Sequence, residues 1–153
     1  MATADLKKLK ELREKTGVSF SLIKKALEES ENDTAKAEKL LSEWGVKKAA
    51  DKADRETDQG GLFSYIHHNK KIATIIELRS ETDFVSANED FRKLGQELAM
   101  QLSIFRGDDI EKFKKEVYMR DTSKTVDNLI KDAVLKFGEN IKITRIIRWE
   151  LGN

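Results

Sequence analysis

The chain has 153 residues, 39% of them hydrophobic and 37% charged, which suits a folded protein with a real core and an extensively solvated surface. Its 29 lysines and arginines face 28 aspartates and glutamates, so no global field draws it to nucleic acid or to an acidic membrane. The absence of cysteine excludes disulfide scaffolds, cysteine zinc sites and thiol catalysis.

No apolar run is long enough to span a bilayer, and the first six residues lack the charged-then-apolar pattern of a secretory signal, which points to the cytoplasm. From there, residues 4 to 45 read as three short helices. Leu6, Leu9 and Leu12 mark the first, ended by Thr16-Gly17. Phe20, Ile23, Ala26 and Leu27 mark the second, after a Ser19 cap. Ala37, Leu40, Leu41 and Trp44 mark the third, capped by Asp33 or Thr34 and stopped by Gly45. In size, and in its loop Thr16-Gly17-Val18-Ser19-Phe20, this unit resembles the ubiquitin-associated fold, a module that presents a loop and a helix end to a partner. Phe20 as a core residue, with Val18 incidentally exposed, fits the composition equally well.

Residues 46 to 61 offer alanine and alternating charge without a bulky apolar stripe, the composition of a polar linker that is free to be helical but cannot dock by burial. Gly60-Gly61 marks the next boundary. The expected organisation is therefore a UBA-like three-helix module over 1–45, a linker over 46–61 and a core domain over 62–153, with the two cores independent of each other.

Leu62 to His68 and Ile72 to Arg79 read as a hairpin around Asn69-Lys70, with Ile72, Thr74, Ile76 and Leu78 on one face. A helix follows whose buried stripe is Phe91, Leu94, Leu98, Leu102 and Phe105. After Gly107, Asp108-Asp109-Ile110-Glu111 opens another helix with Ile110, Phe113 and Val117 inward. Thr125 caps a last one that ends at Gly138. The closing segment alternates as a strand, with Ile141, Ile143, Ile147, Trp149 and Leu151 on one side, although Arg145 and Ile146 swap the expected polarity. The expected fold class is α+β: a three-stranded antiparallel sheet with helices on one face.

Between hairpin and helix lies Glu81-Thr82-Asp83-Phe84-Val85-Ser86-Ala87-Asn88, a short corner. Asn88 or Ser86 can cap the following helix, and Glu89 and Asp90 suit its positive end. Phe84 there is either a core aromatic or a side chain carried outward with Asp83.

Reaction chemistry is not visible. There is no P-loop, no Gly-x-Gly-x-x-Gly and no Gly-x-Ser-x-Gly. His67 and His68 are the only histidines, and adjacent positions on a strand would point them to opposite faces, so no metal site is expected. Two modules, a spacer and no catalytic constellation describe an interaction protein that is not an enzyme and needs no cofactor.

Five separated stretches carry a resemblance. They are Leu12-Arg13-Glu14-Lys15-Thr16-Gly17-Val18, Lys24-Lys25-Ala26-Leu27-Glu28-Glu29, Ala49-Ala50-Asp51-Lys52-Ala53-Asp54-Arg55, Glu81-Thr82-Asp83-Phe84-Val85 and Gly138-Glu139-Asn140-Ile141-Lys142. Together and in this order they resemble the elongation factor Ts family, the nucleotide exchange factors of bacterial translation. The resemblance implies that both modules grip the GTPase elongation factor Tu and promote release of its GDP. Thr82, Asp83 and Phe84, with Val85, would be the exchange loop. Arg13 and the loop residues Val18, Ser19, Phe20 and Ser21 would be the N-terminal contact. The family often has methionines where Phe20 and Ser21 stand, and a basic residue where Ala87 stands. Many relatives also carry a second core subdomain, whereas this chain passes almost directly from Gly107 to its closing helices, like a minimal form. A small sheet leaves edges and a face uncovered, so a homodimer through the core domain is expected. The competing class is an adaptor that binds ubiquitin-like proteins or nascent chains through the N-terminal module alone.

Overall fold

A computed structural model describes residues 2–153 and divides them into two compact units, Met1–Ala53 with Lys131–Glu139, and Asp54–Ile130 with Asn140–Asn153. The first unit is built on three helices, α1 (Leu6–Thr16), α2 (Phe20–Glu29) and α3 (Thr34–Lys52). Asp5 caps α1 by accepting from the Lys7 and Lys8 backbone N–H groups, and Asp33 caps α3 by accepting from Lys36. Gly17 closes α1 in the left-handed conformation at φ 68°, as a helix-ending glycine should. Leu9, Leu12, Val18, Ile23, Ala26, Leu27, Ala37 and Leu41 form the core, with Leu22 and Trp44 packed against it. Leu6, expected in the apolar stripe, is instead 76% exposed.

Gly45 does not stop α3, which runs on to Lys52 through much of the expected linker. The reason is packing. A Cβ on Gly45 would lie 2.9 Å from the Lys131 carbonyl oxygen, so this glycine marks a close helix crossing rather than a cap. Lys131 belongs to α7 (Val126–Phe137), whose second half is part of this unit and buries Leu135 in its core. Gly138, at φ 72°, ends α7 as expected.

The second unit is organised on an antiparallel sheet of order β1-β2-β3, formed by β1 (Gln59–Ile66), β2 (Ile72–Ser80) and β3 (Lys142–Glu150). Its helices are the one-turn α4 (Asp83–Ser86), α5 (Glu89–Leu102), α6 (Ile110–Lys114) and the first half of α7. Thr74, Ile76 and Leu78 are buried as the period-two pattern requires. Phe63 from β1 lies edge-on to Phe91 of α5, centroids 6.1 Å apart. Helix α5 crosses β1 at Gly95, where a Cβ would fall 2.3 Å from the Phe63 ring. The Thr74 hydroxyl donates to the Ala99 carbonyl at 2.7 Å and ties β2 to the same helix.

The polarity swap in the last strand has a definite cause. Ile76 pairs with Ile146, Glu77 with Arg145, and Leu78 with Ile143, so Thr144 is the extra residue of a β-bulge. Beyond it the alternation inverts. Ile143 and Ile146 face inward, whereas Ile147 and Trp149, expected on the same side as Ile143, face outward, with Trp149 71% exposed.

Two further expectations are corrected. Helix α6 is only five residues long, and Val117 sits beyond it in an isolated bridge with Thr125, exposed. Buried Gln101 of α5 holds that segment by donating to the Val117 carbonyl and accepting from the Met119 N–H. Tyr118 in the same segment donates to Glu97 at 2.7 Å, and burial together with that carboxylate pushes its hydroxyl up to about 12. Because β1 ends at Ile66, His67 and His68 are not alternating strand residues, and their rings meet edge to face at 4.1 Å.

Candidate partner-binding site

The corner between β2 and α5 is fixed from within. Thr82 is extended and accepts the Val85 N–H on its hydroxyl at 3.3 Å, capping α4. Ser80, fully buried, donates its hydroxyl to the Thr82 carbonyl at 2.9 Å. Val85 is buried and anchors the turn. The Asn88 side chain accepts from the Asp90 N–H at 2.8 Å and starts α5, which decides between the two expected caps. The Ser86 hydroxyl instead donates to the Asp83 carbonyl.

This geometry settles the two readings of Phe84. With Thr82 as cap and Val85 as anchor, the residues between them on a single turn must point away from the sheet, and Phe84 is 85% exposed. Asp83 beside it is exposed too, and the cap of the turn is Thr82 rather than its carboxylate. An aromatic held in water on a capped turn costs about 1.5–3 kcal/mol relative to burying it, and it gains no packing in the free chain.

The corner is also fixed from behind. The Asn140 backbone N–H donates to Glu81 Oε1 at 3.0 Å, its side-chain amide donates to the Arg55 carbonyl at 2.8 Å, and the Arg55 guanidinium stands 3.6 Å from the same Glu81 oxygen. Asn140 is 3% exposed. Neither Glu81 nor Asn140 was assigned a role from sequence. The available signal was that each lies in a motif stretch with no local structural reason to be polar.

In the first unit, Arg13 is exposed on α1, and Ser19 and Ser21 are exposed at the start of α2, their hydroxyls 3.4 Å apart. Ser19 occupies the N-cap position without making a side-chain cap bond. Phe20 is 48% exposed and Val18 is buried, the reverse of the arrangement in which Phe20 was core and Val18 surface.

The family model for elongation factor Ts matches residues 81–153. An elongation factor Ts from Thermosipho melanesiensis is 35% identical over 191 aligned positions, covering 95% of this chain and 97% of the relative. The chain belongs to the elongation factor Ts family. One from Oleidesulfovibrio alaskensis is 36% identical over 197 positions, covering 99% of this chain and all of that protein. One from Clostridium kluyveri is 40% identical over 148 positions, which make up 97% of this chain but 48% of the relative. Elongation factor Ts is a translation elongation factor, and the five motif stretches are thereby placed in a family. The 191 aligned positions exceed the 153 residues here, so relatives of that kind carry segments with no counterpart in this chain.

The outer face of the sheet is the other exposed feature of the second unit. Leu62, Ile66, Ile75, Ile147 and Trp149 are all exposed there. A groove of about 460 Å³ crosses it, lined by Leu62, Ile75, Glu77, Ile110, Arg145 and Ile147 among others. Glu77 at its edge accepts from the Thr144 hydroxyl and from Arg145 at 2.7 Å. These two bonds, Thr144's first, hold its carboxyl down at about 2. Among the described residues no group of three or more His, Asp or Glu is placed to hold a metal ion, and no helix is long and apolar enough to cross a membrane.

Proposed function

We propose that this protein binds elongation factor Tu and promotes release of its GDP during translation elongation, acting in the cytoplasm through binding energy alone, with no covalent step and no cofactor. The observation that carries this reading is Phe84, 85% exposed on a turn capped by Thr82, in a chain of the elongation factor Ts family. A partner that prefers the nucleotide-free GTPase must weaken GDP by the same factor, so exchange follows from differential affinity. In this reading Phe84 wedges into the nucleotide-binding domain of the partner and Asp83 disturbs groups around its magnesium ion, while Thr82 and Val85 hold both in place. Arg13, Ser19, Phe20 and Ser21 grip the partner elsewhere, and Val18 shapes their loop from inside. The test is release of a fluorescent GDP from purified elongation factor Tu; an unchanged rate despite demonstrable binding refutes it.

The same reading includes a homodimer through the outer sheet faces. Leu62, Ile75, Ile147 and Trp149 supply an apolar patch that a second copy of the face would cover, and Glu77 and Arg145, paired with each other at 2.7 Å, place no unpaired charge beside it. Sedimentation at micromolar concentration that shows only the 17.5 kDa species refutes the dimer.

A further inference from the structure

We propose that Glu81 and Asn140, with Arg55, are positioning residues that fix the direction in which α4 presents Phe84; this rests on the exchange reading of the corner. Three of the five motif stretches meet here. Arg55 ends one, Glu81 begins the second and Asn140 lies in the third, and their backbone and side-chain groups form a single polar knot. Two residues before Glu81, Arg79 donates to the Thr57 carbonyl at 3.2 Å, so the strand that leads into the corner is tied to the same incoming segment.

A four-residue helix has almost no stability of its own, because one turn fixes its dihedrals for very few hydrogen bonds. Its orientation must therefore come from its anchors. Val85 and Thr82 hold the turn to the sheet, and Glu81, the residue immediately before the cap, sets how the chain enters it. Its carboxylate oxygen takes the Asn140 N–H on one side and faces the Arg55 guanidinium on the other. The exposed Arg55 charge contributes little by itself. The Asn140 bonds differ, since that residue is buried, where a hydrogen bond lost is costly, and it donates its backbone N–H to Glu81 and its side-chain amide to the Arg55 carbonyl. The knot thus explains why polar residues far apart in sequence sit in motifs around a loop that only Thr82 to Val85 would contact.

The experiment measures release of fluorescent GDP from elongation factor Tu by Asn140→Ala, Phe84→Ala and the double variant, below the melting temperature of each. Asn140→Ala, which removes the side-chain bond to the Arg55 carbonyl and keeps the backbone N–H bond to Glu81, slows release on the order of tenfold, within what a displacement of about 1 Å produces. That loss nearly vanishes when Phe84 is already alanine, because both act through one group. Amide exchange at Val85 accelerates while exchange at Ile76 in β2 is unchanged. Glu81→Ala, which removes the acceptor of the Asn140 backbone N–H, breaks the other bond of the knot and also slows release, whereas Glu81→Gln, which keeps a carbonyl for that N–H, recovers most of the rate. If Asn140→Ala does not fold, the two Glu81 variants carry the same cycle with Phe84→Ala. Unchanged release by Asn140→Ala and Glu81→Ala, or equal slowing with and without Phe84, overturns the positioning role and leaves the corner reading standing. Normal release by Phe84→Ala alone overturns the corner reading and this one with it.

Discussion

Replacing Phe84 by alanine separates stability from function, because the residue has little to lose in the free chain. A phenylalanine buries about 150–250 Å² when fully packed. With 85% of its surface still in water, Phe84 withholds only about 30 Å² from solvent, less than about 1 kcal/mol at ~25 cal/mol/Å². Alanine recovers about half a kcal/mol as the better helix former in α4. The melting temperature should therefore move by no more than about 2–4 °C, whereas a core phenylalanine would cost about 3–5 kcal/mol and roughly 10 °C. In the complex the balance reverses: an aromatic anchor in a partner pocket is worth about 2 kcal/mol or more, equivalent to about thirtyfold. The assay is calorimetric melting of the variant alongside fluorescent-GDP release from elongation factor Tu at matched concentrations. A lowered melting temperature with normal release, measured where the variant is folded, would refute the wedge.

Gly45→Ala should destabilise the first unit by about 1–3 kcal/mol despite the better helix propensity of alanine, since the new Cβ meets the Lys131 backbone oxygen; thermal unfolding checks it. Glu77→Gln should cost stability at neutral pH and progressively less in acid. A carboxyl held at about 2 stabilises the fold fully above its ordinary 4.5 and loses that contribution as pH falls towards 2, so urea midpoints of the two proteins should converge over that window. Trp149→Glu should leave the melting profile of the monomer nearly unchanged while shifting sedimentation from dimer to monomer, because the residue lies on the open sheet face. Removing residues 1–45 should spare the β1-β2-β3 sheet but bare Leu135, so amide exchange should rise in the second half of α7 and stay low in β2.

The elements that were legible in the sequence are those whose apolar period is decided locally. Thr74, Ile76 and Leu78 alternate into the core, and Phe91, Leu98 and Leu102 recur at helical spacing, as residue order alone required. Gly138 carried the same local certainty, since a glycine after a periodic run is the ordinary way to end a helix. Gly45 looked identical and meant something else. Its reason lies in a backbone oxygen some 86 positions away, which no local pattern reports. The inverted alternation of β3 did leave a trace, in the swapped polarity of Arg145 and Ile146. Reading that trace as a bulge requires the partner strand, because only the pairing of Glu77 with Arg145 and Leu78 with Ile143 shows Thr144 to be extra.

The site divides along the same line. Thr82, Phe84 and Val85 were found through the motif, but composition favoured a buried Phe84, because most aromatics are packing. What decides otherwise is a cap and an anchor on either side of it, each of which takes part in a contact outside the turn or across it. A residue between two such fixed points on one turn has no inward direction left. The same logic makes Glu81 intelligible: it looked like one more surface acid among 28, and the buried Asn140 N–H that it accepts, 59 residues later, together with the Arg55 guanidinium beside it, sets it apart. Under the proposed reading, function at this corner depends on long-range polar bonds that hold a short-range motif in place, and the variants that break those bonds without touching Phe84 are the ones that test it.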